Sequence, residues 1–176
     1  NALYNERSLT LVAPRRMGKT GLIKHVFHKL HEQQPDIITL YLDIYSTQNL
    51  NEFVQVFAST VLGSVSIDIA TDKEEATLKE IFNYLQSSEK RCYIAIDEFQ
   101  QITEYPEKGV EALLRSYIQF LPNVRFIFAG SKQHVMQEMF LSTKRPFYQS
   151  TQTITIGCID RKAYYDFSAT WFARQN

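Results

Sequence analysis

The segment "APRRMGKTG", residues 13–21, has the residue types and spacing of a phosphate-binding loop. It follows an apolar run, "LTLVA", and precedes an amphipathic run. In this setting, backbone N–H groups of the loop and of the helix N-terminus bind phosphate oxygens. Lys19 would contact the β and γ phosphates, and the Thr20 hydroxyl would bind Mg²⁺. The predicted nucleotide-binding residues are Ala13, Pro14, Arg15, Arg16, Met17, Gly18, Lys19, Thr20 and Gly21.

The loop departs from the usual pattern at its first position, where Ala13 replaces a glycine. Alanine adds one methyl group at the turn, which the loop can accommodate. Gly18 has no Cβ and lets the backbone approach a phosphate closely. A strand–helix turn that is basic by chance is the alternative interpretation. For Arg15 and Arg16, exposure at the loop tip is the alternative to contact with phosphates or a partner chain.

An acidic pair follows the apolar strand pattern of "CYIAIDEFQQI", residues 92–102. Ligands of open parallel sheets bind at the carboxyl ends of the strands, where Asp97 and Glu98 would lie. We expect Asp97 to hold Mg²⁺ together with Thr20. We expect Glu98 to be the general base that polarises the water attacking the γ-phosphate. A pair that only caps the next helix is the alternative.

A third polar strand end occurs in "FIFAGS", residues 126–131. Ser131 would contact the γ-phosphate or the attacking water. Its alternative role is an ordinary N-cap of the helix that starts near Lys132.

The elements that must position these residues alternate along the chain. Apolar runs predict strands at 9–13, 37–42, 92–96, 124–129 and 153–156. Periodic patterns predict helices at 19–33, 50–62, 73–87, 108–121, 132–141 and 161–174. This alternation predicts a three-layer α/β fold with a mostly parallel five-stranded sheet. The strands mostly lack alternation, which favours burial on both faces. The polar stretch 63–75 is predicted to be irregular.

Composition limits the classes of protein that the chain can be. Its 176 residues suit one α/β domain, and its net charge of zero gives no global sign of nucleic-acid binding. Cys92 and Cys158 lie in apolar runs and are expected to be reduced core residues of a cytoplasmic protein. No apolar run approaches the ~18 residues of a membrane span. The chain begins close to its first strand without Met, so we expect a fragment of a longer protein.

The chain resembles the archaeal-type ATPase family, in the STAND branch of P-loop NTPases and related to AAA+ proteins. The likeness covers nearly the whole chain and lies in "APRRMGKTGLI", "YLDIYS", "CYIAIDEFQQI", "RFIFAGSKQHVM" and "KRPFYQSTQTITI". It implies the sheet order 5-1-4-3-2, ATP and Mg²⁺ as cofactors, and ATP hydrolysis. It also implies that residues 1–176 are an ATPase core, without the family's N-terminal segment and its C-terminal lid and winged-helix domain.

One expected arginine is displaced. The family often carries an arginine shortly after its Pro-Leu-Tyr block, where "PFYQST" places Ser150. Arg145 is the candidate substitute, and an ordinary surface residue is its alternative. An arginine supplied in trans by a partner, as in a nucleotide-dependent oligomer, is the other candidate.

Three further features have plain structural interpretations. His25, His28 and His31 recur on the first helix, but zinc sites usually close with other ligand types, so a polar helix face is expected. Asp43 is expected to be a loop or capping carboxylate. The aromatic segment 164–172 is expected to pack as a helix rather than to stack nucleic-acid bases.

These observations predict an ATP-hydrolysing, Mg²⁺-dependent switch module that drives or gates an attached C-terminal domain. The alternatives are a nucleotide-binding scaffold with little turnover and the ATPase core of a DNA-associated motor or defence protein. DNA or a protein partner would bind through domains outside this chain. The paired carboxylates disfavour a small-molecule phosphotransferase. The chain lacks the guanine-reading Asn-Lys-x-Asp stretch, which favours ATP over GTP.

Overall fold

The helices and strands alternate as the sequence predicts. The computed structural model describes residues 7–63 and 74–173. The strands are β1 (Leu9–Val12), β2 (Ile38–Asp43), β3 (Cys92–Asp97), β4 (Val124–Gly130) and β5 (Gln152–Thr155). The α-helices are α1 (Lys19–Gln33), α2 (Leu50–Leu62), α3 (Glu74–Ser87), α4 (Val110–Ile118), α5 (Gln133–Leu141) and α6 (Arg161–Ala173). An additional 3₁₀ helix, Phe99–Glu104, was not predicted. The predicted irregular stretch at 63–75 lies mostly outside the described residues.

The five strands form one parallel sheet in the order β2-β3-β4-β1-β5. Read from the other edge, this is the predicted order 5-1-4-3-2, which is therefore confirmed. β4 lies between β1 and β3, so the carboxyl end of β4 is flanked by the loop after β1 and by the acidic end of β3. The topology alone brings the three predicted polar segments to one edge of the sheet.

Hydrophobic burial on both faces of the sheet produces three layers. On one face, Ile23, Phe27 and Leu30 of α1 pack with residues of β1, β3 and β4. On the other face, helices α2 to α5 form the larger core. The interior strand β3, between β2 and β4, is buried at every position. Burial on both faces is wrong for β5, which is an edge strand and largely exposed.

A cluster of phenylalanines fixes the segment that follows β3. Phe99 is fully buried, and its ring centroid lies 4.4 Å from that of Phe128 and 5.4 Å from that of Phe147. Large buried aromatic side chains contribute strongly to core stability. The backbone on either side of Phe99, which carries Glu98, is therefore anchored to the core.

Helix α6 differs from the prediction for its aromatic segment. None of its residues is buried, and its aromatic side chains are more than half exposed. It follows the edge strand β5, so the expected helix packing is absent among the described residues. Cys158, just before α6, is likewise exposed rather than a core residue, whereas Cys92 is buried. Burial raises the pKa of the Cys92 thiol to about 12.

Candidate active site

The loop after β1 presents the N-terminus of α1 without a protein cap. Gly18 is the N-cap residue, with a φ of 81° and no capping side chain, and the first turn of α1 contains no acidic residue. The left-handed φ favours glycine here, although a Cβ would meet no atom within 4 Å. The first N–H groups and the positive end of the helix dipole are thus left for an anionic ligand.

Lys19 places a buried positive charge between this loop and β3. The residue is only 6% exposed. Its Nζ lies 3.3 Å from the carbonyl oxygen of Ala13 and 3.8 Å from Oε1 of Glu98. Both contacts are long for an ammonium group, whose three donors can bind more strongly to phosphate oxygens. The position fits the phosphate-binding role predicted for Lys19.

Thr20 and Asp97 meet at the predicted metal site. The Thr20 hydroxyl donates a hydrogen bond of 2.8 Å to Oδ2 of Asp97, whose residue is 3% exposed. Tyr41 donates to the same oxygen at 2.9 Å, and the Glu98 N–H donates to Oδ1 at 3.0 Å. Burial raises the pKa of Tyr41, so its phenol stays protonated and remains a donor. A hydroxyl beside an oriented carboxylate is the kind of oxygen ligand set that Mg²⁺ uses.

Glu98 directly follows Asp97 in a left-handed backbone conformation with a φ of 55°. Its Oε2 accepts hydrogen bonds of 2.6 Å from Ser131 and 2.6 Å from Gln100. Burial raises the pKa of Glu98, but these two bonds and the charges of Lys19 and Arg15 outweigh it and hold the pKa below its ordinary value. Glu98 is therefore an ionised carboxylate that faces the loop.

Ser131 bonds to Glu98 instead of capping the next helix. Lys132 is the N-cap residue of α5, and that helix has no side-chain cap. The alternative role of Ser131 as an N-cap is thus not adopted. The hydrogen bond from Ser131 therefore links the end of β4 to Glu98, the candidate base at the end of β3.

These residues border one open cleft of about 420 Å³. The side chains around it come from the loop, α1, and the ends of β2 and β3: Arg15, Arg16, Gly18, Lys19, Thr20, Asp43, Tyr45 and Glu98. The Arg15 guanidinium lies over the Tyr45 ring, 5.4 Å from its centroid. Oδ1 of Asp43 accepts a bond of 2.8 Å from the Tyr45 N–H, so Asp43 also has the predicted turn-capping role.

The remaining loop residues contribute less side-chain surface to the cleft. Ala13 is fully buried, and its carbonyl faces Lys19. Pro14 and Gly21 are exposed, and Met17 is partly buried. Met17 and Gly21 would act through their backbone N–H groups, as most residues of a phosphate-binding loop do, whereas Pro14 has no N–H and would only shape the loop.

The structure does not bring Arg145 to this cleft. Its Nη2 lies 2.7 Å from Oε1 of Glu111, and its Nη1 lies 3.8 Å from Oε1 of Glu138. Arg145 borders a separate cavity of about 300 Å³ beside Tyr105 and Lys144. A role for Arg145 in charge stabilisation stays a prediction that requires the bond to Glu111 to open.

A larger cavity of about 520 Å³ lies at the opposite, amino-terminal edge of the sheet. It contains Arg7, Arg115 and Arg125, together with Ser150, the residue at the position where an arginine was expected. It contains neither the loop nor the acidic strand end. Ligands of open α/β sheets bind at the carboxyl edge, so the smaller cleft is the better candidate despite its volume.

Three site residues were missed by sequence reasoning, namely Tyr41, Gln100 and the cleft-lining Tyr45. Tyr41 pairs with Ala95 in the β2–β3 register, two positions before Asp97, so it reaches the acidic strand end from the neighbouring strand. A polar residue near the end of the next strand was the available signal. Gln100 lies within the quoted acidic segment, but nothing in the sequence indicated its contact with Glu98.

The histidines of α1 make local contacts. His28 Nε2 lies 3.2 Å from Glu32, and the ring of His31 bonds to the Phe27 carbonyl. Across residues 7–63 and 74–173, no group of three or more His, Cys, Asp or Glu side chains is arranged to hold a metal ion. Within the same ranges, no helix has the length and apolarity that a bilayer crossing needs.

The sequence profile of the AAA domain family matches residues 5–145. Among curated proteins, none matches the sequence. A Walker-type ATPase of Pyrococcus abyssi has a similar fold, with a TM-score of 0.66 and 18% identity over 98% of this chain and 55% of that chain. The ORC2 protein of Aeropyrum pernix, solved as ADPNP-ADP complexes, gives 0.69 and 15% over 93% and 45%.

The ORC1 protein of Aeropyrum pernix, solved in complex with DNA, has a TM-score of 0.72 and 13% identity over 93% of this chain and 43% of that chain. At such identities these similarities show the fold alone. The chain spans about half the length of the solved proteins it resembles.

Proposed function

The chain belongs to the AAA domain family of P-loop ATPases, and from this premise we propose that its cleft binds Mg·ATP and hydrolyses it to ADP and phosphate. The observation that carries the proposal is the 2.8 Å hydrogen bond between Thr20 and Asp97. It joins the hydroxyl of the loop to the acidic end of β3, beside the 3.8 Å contact between Lys19 and Glu98. The phosphate-binding loop and the acidic end of β3, both of which a nucleotide site needs, are therefore adjacent.

Each residue then has a role set by its chemistry. Lys19 and the N–H groups at the start of α1 bind the β and γ phosphates. Thr20 and Asp97 would hold Mg²⁺, which supplies positive charge against the phosphate oxygens. Glu98 accepts a proton from water as that water bonds to the γ-phosphorus. The bond from the γ-phosphorus to the bridging oxygen breaks, and ADP leaves with the electron pair.

The switch function is the finer part of the proposal. Ser131 and Lys19 both contact Glu98 and both lie where the γ-phosphate would bind. Binding and release of that phosphate would therefore change the contacts at the ends of β3 and β4 and drive or gate an attached C-terminal domain. We place this core within the archaeal-type branch of STAND proteins, on the sequence segments quoted above. We also propose a cytoplasmic location, because both cysteines are free thiols.

Two observations bear on partners other than the nucleotide. The similarity to an ORC1 protein solved with DNA supports DNA as a partner of the longer protein. The distance of Arg145 from the cleft supports an arginine supplied in trans, and therefore an oligomer that forms with nucleotide.

A nucleotide-binding scaffold with little turnover is the second candidate. It is favoured by Ala13 in place of the first loop glycine and by the contact of Arg145 with Glu111. In a scaffold, Mg·ATP would bind with ordinary affinity, and neither DNA nor a partner would produce turnover.

Binding and turnover of Mg·ATP test the proposal on the longest available form of the protein. Lys19→Ala should abolish detectable binding, while Lys29→Ala, on the exposed side of α1, should bind like the wild type. Glu98→Gln should bind and lose turnover, while Glu104→Gln should keep both. Binding without turnover in the wild type under every condition would favour the scaffold. Absence of binding would contradict both candidates.

A further inference from the structure

Gln100 contacts the candidate base but has no role in the mechanism above. The residue is 1% exposed, and its Nε2 donates a hydrogen bond of 2.6 Å to Oε2 of Glu98. Ser131 donates to the same oxygen. The other oxygen, Oε1, is the one that lies 3.8 Å from Lys19. Two neutral donors therefore fix one carboxylate oxygen and leave the other directed at the phosphate-binding loop.

The chemistry of the carboxylate fixes the orientation of the Gln100 amide. An ionised carboxylate only accepts hydrogen bonds, so a rotated amide would set its oxygen against Oε2 of Glu98. With Nε2 toward Glu98, the amide Oε1 is buried and accepts no hydrogen bond from any residue in the described ranges. A buried acceptor of this kind carries a free-energy cost and calls for an explanation. Fixing Glu98 is an explanation that the geometry supplies.

Gly130 provides the space that this amide occupies. A Cβ at Gly130 would lie 2.3 Å from Gln100 Oε1 and 2.5 Å from the sulfur of Met136. Any larger residue would displace the amide or Met136. Between Glu98 and Gln100 lies Phe99, which is fully buried. Phe99 thus anchors the turn in the core, and Gly130 leaves room for the Gln100 amide.

We propose that Gln100 is a positioning residue for ATP hydrolysis that fixes Oε2 of Glu98 and directs Oε1 at the attacking water, and that Gly130 is required for its fit. This inference rests on the proposed function of Glu98 as the base. Without Gln100, the carboxylate keeps Ser131 as a donor but can turn about its last bond. The proton acceptor is then misplaced in a fraction of the molecules.

Gln100→Met removes the donor at similar length and volume. We expect kcat to fall at least about tenfold, because the variant loses a hydrogen bond to a charged group. KM for ATP should stay near the wild-type value, because Gln100 does not border the cleft. Gln101→Met is the matched control, since that amide bonds to the Thr47 carbonyl instead. Gly130→Ala should also lower kcat, whereas Gly157→Ala, where a Cβ meets no atom within 4 Å, should not.

A double-mutant cycle separates positioning from general structural damage. In the Glu98→Gln background, Gln100→Met should cause no further loss of the residual turnover, because Gln100 acts through the Glu98 carboxylate. A full additional loss, or a rise in KM that accounts for the whole effect, would overturn the proposal.

A measurement that needs no turnover completes the test. The side-chain amide resonances of Gln100 are those that Gln100→Met removes from the NMR spectrum of the full chain. One of these protons should be shifted downfield in the wild type by the carboxylate and should lose that shift in Glu98→Ala. An unchanged resonance would refute the contact and the proposal. If the wild type binds no Mg·ATP, the function proposed for the cleft fails, while the amide resonance still decides whether Gln100 holds Glu98.

Discussion

Glu98 and Glu111 are both partly buried carboxylates beside a cation, yet their pKa values move in opposite directions. Glu111 has the closer cation, since Arg145 Nη2 lies 2.7 Å from it, whereas Lys19 Nζ lies 3.8 Å from Glu98. Proximity of a positive charge therefore does not account for the difference.

Neutral hydrogen-bond donors do account for it. Burial raises the pKa of both groups. At Glu98 the bonds from Ser131 and Gln100, with nearby cations, outweigh burial. At Glu111 burial exceeds the effect of Arg145, and Glu138 raises the pKa further. Oε2 of Glu111 is buried and bonds to no residue within 7–63 or 74–173. Donors aimed at the carboxylate therefore decide the direction in which its pKa moves.

The largest expected effect contrasts the two carboxylates in catalysis. Glu98→Gln should lower turnover by about 10²–10⁴, the usual contribution of a general base. Glu111→Gln should change it far less, because Glu111 borders a different cavity. Phosphate release at saturating Mg·ATP measures both variants. Equal losses would show that the cleft around Glu98 is not where hydrolysis occurs.

The next effect tests whether neutral donors matter at Glu98. Ser131→Ala removes a 2.6 Å hydrogen bond to an ionised group, and such bonds contribute about 1.5–3 kcal/mol. We expect turnover to fall at least about tenfold. The control is Ser116→Ala, because Ser116 is exposed and its hydroxyl donates to the Leu113 carbonyl rather than to a carboxylate. If both variants turn over alike, the Ser131 bond has no catalytic consequence.

A smaller effect concerns the donor to Asp97. Tyr41→Phe removes one of two hydroxyls that bond to Oδ2 of Asp97, and outer contacts of this kind typically change metal affinity about 10–100-fold. We expect the Mg²⁺ concentration for half-maximal turnover to rise about tenfold. Tyr84→Phe, at an exposed position on α3, is the control. An unchanged Mg²⁺ requirement would remove Tyr41 from the account.

The smallest effect is on stability. Because the folded pKa of Glu111 lies above 4.5, the folded chain retains a proton there that the unfolded chain loses, and stability falls as pH rises through this window. Glu98 affects stability in the opposite direction, because its contribution to the free energy of unfolding is lost as pH falls through its lowered pKa. Glu111→Gln should remove the first slope.

Urea unfolding of wild type and Glu111→Gln at several pH values above 4.5 measures this slope. Glu138→Gln provides a comparison. It removes a charge that raises the pKa of Glu111 but leaves the 2.7 Å contact between Glu111 and Arg145 in place. A slope that is the same in wild type and Glu111→Gln would show that Glu111 does not titrate differently on folding.

The positions of the strands could be predicted because parallel strands that are buried on both faces consist of nearly continuous runs of apolar residues. The positions of β1 to β5 came from those runs, and the order of the sheet came from the family resemblance. The packing of helix α6 was misjudged, because its sequence pattern specifies a helix but not whether another element covers its aromatic side chains. The same applies to β5, whose position at the sheet edge is a property of topology.

The candidate site was predictable where strand ends determine it. Thr20, Asp97, Glu98 and Ser131 meet because β1, β3 and β4 end at one edge of the sheet. Gln100 was not predictable, because its contact with Glu98 depends on the turn into the 3₁₀ helix. The contact of Arg145 with Glu111 was not predictable either, because Glu111 belongs to another helix, and the role of Arg145 in charge stabilisation stays a prediction.

The central claim is that Mg·ATP binds at the carboxyl edge of the sheet. A crystal structure with Mg²⁺ and a non-hydrolysable ATP analogue tests it most directly. We predict the phosphates at the N-terminus of α1, with Lys19 bonded to them and Mg²⁺ beside Thr20 and Asp97. The account would be contradicted if the analogue bound in the cavity near Arg7 and Arg115, or if its phosphates made no contact with Lys19.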